Sequence, residues 1–430
     1  MTTPPTDEKA WIVSVDMGYG HQRAAYPFRD MAHERIITAN NDQIISPRER
    51  RYWENARGFY EGISRLKNLP LFGRRLFNLY DRLQSISPFF PFKDLSKPTL
   101  AALFLRRKIR KGLCASLVEY IRRPSLPILT THFIPALAAD YLGLENVFCV
   151  VTDTDINRVW VSAHPQKSRI IYLAPSRHAQ TRLRQYGIPA ERIVMTGFPL
   201  PDELTGDREG SLIKHDLGAR LPQLDPKGAF AAKYLPILAA TLGIDNVNLP
   251  VSRPLTITYM VGGAGAQREI GIGIVKVLRE HLNRQEVRIN LVAGIRMDVH
   301  NYFRSELADL GLADSVEIVY APGKFKYFAR MDEVLRVTDI LWTKPSELTF
   351  YAALGLPIIT SPPVGAHEKE NQRWLQHVGA GFPQENLDYL NEWLFYVLDS
   401  GKFAEAAWDG HMNAPFLGTW RIRDILRGHS

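Results

Sequence analysis

Several places in this 430-residue chain put polar side chains where an apolar run ends, the point at which a strand hands them to a ligand. Thr343, Lys344 and Ser346 follow the run 338–342, and Glu347 opens the stretch after them. His367, Glu368 and Asn371 lie in a second polar loop, 365–371, beyond the run 356–359. Gly262-Gly263-Ala264-Gly265-Ala266 follows 255–261, and Met17-Gly18-Tyr19-Gly20-His21 follows 11–16. Glycines let a backbone turn tightly and approach a ligand, and a helix that starts there offers unpaired N–H groups to an anion. The loop at 262–266 is the better cradle for a diphosphate. Thr130-Thr131-His132 and Val151-Thr152-Asp153-Thr154-Asp155 are two further polar strand ends. Asp153 and Asp155 are spaced to share a Mg²⁺ with a substrate diphosphate. Nothing near them completes an oxygen cage, and no metal is assigned.

Elements of one kind would position all of these. Strands are expected at 11–16, 128–131, 147–152, 169–173 and 192–196, then at 255–261, 287–292, 316–320, 338–342 and 356–359, with helices between. Such alternation builds doubly wound parallel sheets, with ligands in the crevice beyond the carboxyl ends of the strands. The helix after His21 is expected to reach about residue 35, with Pro27 tolerated near its first turns. A short helix is expected at 347–354, closed by Gly355. Between 197 and 254 prolines and glycines crowd the chain around one helical piece at 229–242, which reads as an interdomain connection with an insertion. The expected domains are 1–202 and 203–402, with 203–254 as linker or insertion. A C-terminal amphipathic helix at 403–430 then has the option of crossing back to the first domain.

A chain of this length outgrows a single core. Its 45% hydrophobic and 23% charged residues describe an ordinary globular protein. No apolar run reaches the roughly 18 residues that a membrane span needs. The N-terminus is polar and lacks a signal-type segment, so a cytoplasmic location is expected. Cys114 and Cys149 are the only cysteines, both in apolar settings, which argues against a disulfide framework or a thiolate metal site. The net charge is +8, unevenly spread. Residues 47–123 hold 18 Lys/Arg against 6 Asp/Glu, whereas the rest of the chain holds 35 against 39. In that region Phe59, Tyr60, Phe72, Phe77 and Tyr80 interleave with basic residues, and Phe89, Phe90 and Phe92 precede the run Arg106 to Lys111. Aromatics beside a basic cluster suit an anionic membrane surface. An ordinary solvated helical face over core aromatics has the same composition. No nucleic-acid-binding module accompanies the cluster, so nucleic acid is not an expected partner.

Taken together, the motifs resemble the GT-B glycosyltransferases. The closest branch joins monogalactosyldiacylglycerol synthases, processive diacylglycerol glucosyltransferases and the lipid II-forming N-acetylglucosaminyltransferase. Gly18-Tyr19-Gly20-His21 resembles that family's GxGH loop, and Thr152-Asp153 with Trp160 its TD…W segment. Gly187-Ile188-Pro189 through Thr196-Gly197-Phe198-Pro199 resembles its GIP…TGxP stretch. Gly262 to Gly265 is similar to its second glycine loop, and Thr343-Lys344 through Gly355-Leu356-Pro357 to its donor helix. Glu368 and Asn371 fit its QExxN motif, with His367 in place of Gln. The chain also departs from the pattern. Ala352 stands where the family has a ribose-binding Glu, eight residues after the lysine, and Glu347 is the candidate substitute. Asn157 stands where His is usual, and Pro201 replaces a basic residue.

The resemblance implies an α/β GT-B fold of two Rossmann-like domains facing across a cleft. It also implies an inverting transfer of a sugar from a nucleotide diphosphate sugar, with UDP the first expectation, to a hydroxyl of a lipid or lipid-linked acceptor. The enzyme would be peripheral at the inner face of an anionic membrane. The nucleotide sugar is a substrate, and no cofactor or metal is implied. His21 is the first candidate for the base that takes the acceptor proton, with Asp153 its rival. Gly18, Gly20 and His132 fall on the acceptor side. Backbone N–H groups of Gly262, Gly263, Ala264, Gly265 and Ala266 would stabilise the leaving diphosphate. Thr343, Lys344, Ser346, Glu347, His367, Glu368 and Asn371 would meet the donor. A nucleotide-sugar 2-epimerase and a non-catalytic nucleotide-sugar or lipid-binding protein are the alternatives on the same fold.

Overall fold

The computed structural model describes residues 9–54, 86–247, 253–262, 265–363 and 365–428. Gly263 and Ala264 lie outside the described residues, as does 55–85, which carries the aromatics from Phe59 to Tyr80. The chain forms two compact units. One comprises Met1–Pro199, Gly365–Glu370 and Leu417–Ser430, and the other Leu200–Val364 and Asn371–Phe416.

The first unit is built on β1 (Trp11–Ser14), β2 (Ile37–Thr38), β3 (Ile128–Thr130), β4 (Val147–Val150), β5 (Ile171–Ala174) and β6 (Ile193–Met195). They pair in parallel in the order β2-β1-β3-β4-β5-β6. Alternate residues feed two cores. Trp11, Val13, Cys149 and Tyr172 join one, while Ile12, Leu129, Phe148 and Leu173 join the other. Burial on both faces is why these strands read as continuous apolar runs. The helix Gly418–Leu426 closes the second core with Ile422 and Leu426. A Cβ on Gly418 would collide with the carbonyl of Phe198, so glycine is required at that approach.

The second unit contains β7 (Leu255–Met260), β8 (Val287–Gly294), β9 (Val316–Tyr320), β10 (Ile340–Thr343), β11 (Ile358–Thr360) and β12 (Gly381–Pro383), again all parallel, in the order β12-β11-β10-β7-β8-β9. Arg220 is a hub of this unit. Its guanidinium donates to the carbonyls of Thr338 (2.6 Å), Leu354 (2.9 Å), Gly355 (3.0 Å) and Leu335 (3.4 Å). These carbonyls lie at the ends of two helices, Lys324–Val337 and Glu347–Leu354, where the intrahelical ladder runs out. Burial lowers the Arg220 pKa to about 10, opposed by Asp339 and Asp216, which leaves it charged at neutral pH.

Four expectations need correction. The helix at His21 is Gly20–Ala25, followed by a tighter 3₁₀ turn, Tyr26–Met31, that takes Pro27 at its start and ends well before residue 35. The 203–254 segment is not a mere linker. It holds helices Asp202–Thr205, Ser211–Leu224, Ala231–Leu242 and Ile244–Val247, and the second of these carries Arg220. Gly218 and Pro222 disguised that helix. Gly218 is needed because a Cβ would meet the carbonyl of Asn246, and Pro222 sits in the last turn. Residues 365–371 are not a loop either, because all but Gly365 belong to the helix Ala366–His377, anchored by buried Trp374 and Leu375. Glu368 in its first turn suits the positive end of that helix. Finally, the C-terminal helix is two helices, Lys402–Asn413 and Gly418–Leu426, parted at Pro415 because the residue before a proline is pushed to extended geometry. The short strands β2 and β12 had no signal in the sequence.

Arg220→Met should destabilise the protein by about 3 kcal/mol or more, since it strands several buried carbonyls. The urea midpoint should fall without a change in slope. A loss under about 1 kcal/mol would mean that those carbonyls find water instead.

Candidate active site

In the first unit the strand order reverses between β1 and β3, because β2 lies on the outer side of β1. That reversal is where a doubly wound sheet leaves a crevice, and the loops after β1 and β3 flank it. Gly18 adopts φ +91°, which favours glycine, and its turn delivers His21 as the second residue of the helix Gly20–Ala25. Nδ1 of His21 lies 2.6 Å from the carbonyl oxygen of Thr131. A carbonyl only accepts, so Nδ1 carries the proton and Nε2 keeps its lone pair. Thr131 also donates its hydroxyl to the His21 carbonyl at 2.8 Å, so one residue holds both the ring and the backbone. The Thr152 hydroxyl sits 3.2 Å from the same Nδ1.

His132 has the opposite tautomer. Its Nδ1 accepts from the amide of Ile134 at 3.2 Å, capping the helix Phe133–Tyr141. The two imidazoles meet edge to face, 4.7 Å between centroids, with Phe133 stacked on His132 at 4.4 Å and Trp160 nearby. Burial lowers the pKa of His21, while the charge of Asp153 and the Thr131 hydrogen bond pull it back up. Burial drives His132 further down, helped by its neighbour His21. Both rings are therefore neutral at pH 7. His21 is half-buried, and so is Asp153. Asp155 is not equivalent to Asp153, since it is buried and bound by Arg182 (2.8 and 2.9 Å) and His178 (2.9 Å). Ligand atoms of Asp155, His178 and Glu370 lie within 4.8 Å of one another, but the Arg182 guanidinium opposes a cation there.

In the second unit the order reverses between β7 and β10, and the loops after these strands touch. A Cβ on Gly262 would collide with the Lys344 side chain, which runs across the glycine. The Gly265 amide donates to the Gly262 carbonyl at 2.7 Å, Gly265 adopts φ +72°, and Ala266 is exposed. Gln267, at φ +65°, starts the helix Arg268–Val277 and donates to the carbonyl of Pro362 at 2.9 Å, tying this loop to the one after β11. Gln372 likewise binds the Thr360 hydroxyl at 2.6 Å. Neither glutamine stood out in the sequence, because each matters only through its spatial neighbour.

The other candidates differ in standing. Thr343 is buried, with its hydroxyl 3.4 Å from the Met260 carbonyl, so it braces β10 to β7. Ser346 caps the amide of Leu348. Lys344 and Glu347 are half-buried at the carboxyl end of β10. His367 and Glu368 are half-buried in the first turn of the helix Ala366–His377, and Nδ1 of His367 has no partner among the described residues. Asn371 is buried. Ala352 is fully buried, and its carbonyl packs against Gly410. In a 3₁₀ helix residues five apart differ by about 120° in direction, so Glu347 does not take the place of a side chain at 352.

Both histidines have folded pKa values below the unfolded 6.5. The unfolded chain therefore binds more protons than the folded one below about pH 6.5, and stability should be full above that pH and fall as the pH drops through the folded values. His132→Asn keeps a capping acceptor and should flatten this fall in urea titrations between about pH 6.5 and 5. An unchanged slope would show that His132 does not contribute.

A family profile described as a domain of unknown function (DUF6938) matches residues 296–387. The processive diacylglycerol beta-glucosyltransferase of Bacillus licheniformis is 26% identical over 239 residues, 54% of this chain and 49% of its own length. That of Bacillus pumilus is 23% identical over 399 residues, 87% of this chain and 82% of its own. The chain thus spans about half the length of the first curated relatives it matches. Among solved structures, MurG of Acinetobacter baumannii overlaps 75% of this chain and 79% of its own at 16% identity, with a TM-score of 0.43. The UDP-GlcNAc 2-epimerase of Neisseria meningitidis overlaps 82% and 86% at 10% identity, with a TM-score of 0.46. By sequence, the chain is a divergent relative of the GT-B glycosyltransferases to which the processive diacylglycerol glucosyltransferases belong.

Proposed function

We propose that this protein is an inverting glycosyltransferase that moves a sugar from a nucleotide diphosphate sugar, UDP first, to a hydroxyl of a lipid or lipid-linked acceptor at a cytoplasmic membrane face. The observation that carries the reading is His21, a neutral imidazole whose Nδ1–H is tied to the Thr131 carbonyl, with Nε2 left as the base. In the reaction Nε2 takes the acceptor proton as the acceptor oxygen bonds to the anomeric carbon, and the bond from that carbon to the diphosphate breaks. On the second unit, Lys344 and the start of the helix Arg268–Val277 are suited to receive the negative diphosphate without a metal. Glu347, His367 and Glu368 are the side chains left for donor hydroxyls. Thr343 and Ser346 support the backbone, and Asn371 is buried on the same helix as His367 and Glu368. The relatives named for diacylglycerol and glucosyl transfer support a glycerolipid and UDP-glucose as the first pair to assay.

His21→Ala should lower turnover by roughly 10²–10⁴ with donor affinity little changed. Normal turnover in that variant, with collapse in Asp153→Asn, would move the base to Asp153. Glu368→Ala should weaken sugar-nucleotide binding more than UDP binding in a thermal-shift titration. Equal losses would place Glu368 on the nucleotide. Chelators should leave turnover intact, and appearance of a 2-epimer without acceptor would replace the transferase reading with an epimerase.

A further inference from the structure

The exposed apolar side chains of this protein are concentrated. Of the large hydrophobic residues exposed among the described ones, five fall between residues 90 and 104, namely Phe90 (83%), Phe92 (67%), Leu100 (86%), Leu103 (42%) and Phe104 (60%). Two structural devices hold them outward. In the first, two arginines clamp the segment before the helix. Arg182 donates to the Ser87 carbonyl at 2.6 Å and stacks on Phe89 at 4.2 Å, with His178 edge-on to the same ring. Arg158 donates to the carbonyls of Leu95 (3.2 Å) and Ser96 (2.6 Å). Phe89 is thus packed inward, and the chain between the clamps exposes Phe90 to Asp94, with Phe90 and Phe92 as its large apolar side chains.

The second device is the helix Leu100–Arg110, capped by Thr99. An amphipathic helix normally turns its large apolar residues inward. Here Ala102, Leu105 and Ile109 face the core, and Leu100, Leu103 and Phe104 face out. Continued at the same spacing, the outer stripe becomes Arg107 and Lys111, with Arg110 beside them, all exposed. Of the nearby cations, Arg106 is drawn to His164 and Tyr141, and Lys108 to the rings of Tyr52 and Phe104.

We propose that this surface docks on an anionic lipid bilayer. Phe90, Phe92, Leu100 and Phe104 enter the boundary between headgroups and acyl chains, and Arg107, Arg110 and Lys111 meet lipid phosphates. Charge selects the occupant. Residues 86–111 carry seven Lys/Arg against one acid, so a second copy of the same face would set like charges together. Among the described residues no helix is long and apolar enough to cross a membrane, so binding at the interface is the mode that fits. The proposal rests on the lipid-acceptor reading for its purpose only, since docking requires no transfer.

Cys114 and Cys149 are buried, so a cysteine placed at residue 90 or 104 can be labelled selectively with NBD. On vesicles of phosphatidylglycerol and phosphatidylcholine at low salt, NBD at Phe90→Cys and Phe104→Cys should brighten and shift to the blue. NBD at Tyr396→Cys, an exposed site in the second unit, should not. Arg107→Gln/Arg110→Gln/Lys111→Gln should lose the preference for anionic over neutral vesicles. Phe90→Ser/Phe92→Ser/Phe104→Ser should lower vesicle affinity about tenfold or more while keeping turnover on a dispersed short-chain acceptor. No change at positions 90 and 104, or an equal change at 396, would overturn the docking surface. Insertion without sugar transfer would instead leave the surface standing and remove the proposed reaction.

Discussion

Every strand pairing in both sheets is parallel, and the candidate site follows from that constraint. Parallel neighbours send all their carboxyl ends to one edge, and each return must cross over through a helix or long connection. Residues far apart in sequence are thereby delivered side by side. Val13 of β1 pairs with Thr130 of β3, and the Thr131 amide continues the ladder to the Val13 carbonyl at 3.1 Å. One residue further, the Thr131 carbonyl has left the ladder and faces the next turn of the neighbouring loop, where it meets His21. The tautomer of the proposed base is therefore set by the pairing of β1 with β3. The same logic lays Lys344 against Gly262, since β10 runs beside β7.

How much of this could be read from the sequence depended on whether the signal was local. Ten of the strands announce themselves as largely apolar runs, most of them because both faces are buried. The two-residue β2 and the glycine- and proline-bearing β12 carry no such run, and they exist because a longer strand templates them. His21 and His132 were visible as polar residues just beyond apolar strands. The role of Thr131 was not, because its acceptor is a backbone oxygen and its partner is 110 residues away. Burial was equally out of reach of a linear reading, since Thr343 and Asn371 are polar residues that the fold buries. The helix Ser211–Leu224 was hidden because Gly218 and Pro222 read as punctuation, when one answers a close backbone approach and the other falls in the last turn, where little helix remains to be interrupted.

Arginine shows a similar gap between composition and structure. A charge count treats all cations alike, whereas burial divides them. Arg158 and Arg220 direct their guanidinium groups at backbone carbonyls, and Arg182 divides its between the Asp155 carboxylate and the Ser87 carbonyl, tasks that a planar fork of five donors suits and a lysine does not. Two of them fix the segment before the helix Leu100–Arg110, and the third fixes the end of the helix Glu347–Leu354. Arg107, Arg110 and Lys111 stay at the surface, so only part of the basic composition contributes to an external field.

The 3₁₀ helix Glu347–Leu354 connects these points to the departure at Ala352. Arg220 holds its last carbonyls from one side, and Gly410 of the helix Lys402–Asn413 presses on the Ala352 backbone from the other. Any larger residue at 410 would push the two helices apart, and any larger residue at 352 would have to be accommodated in a fully buried position. Alanine at 352 is thus matched to the close packing of two helices.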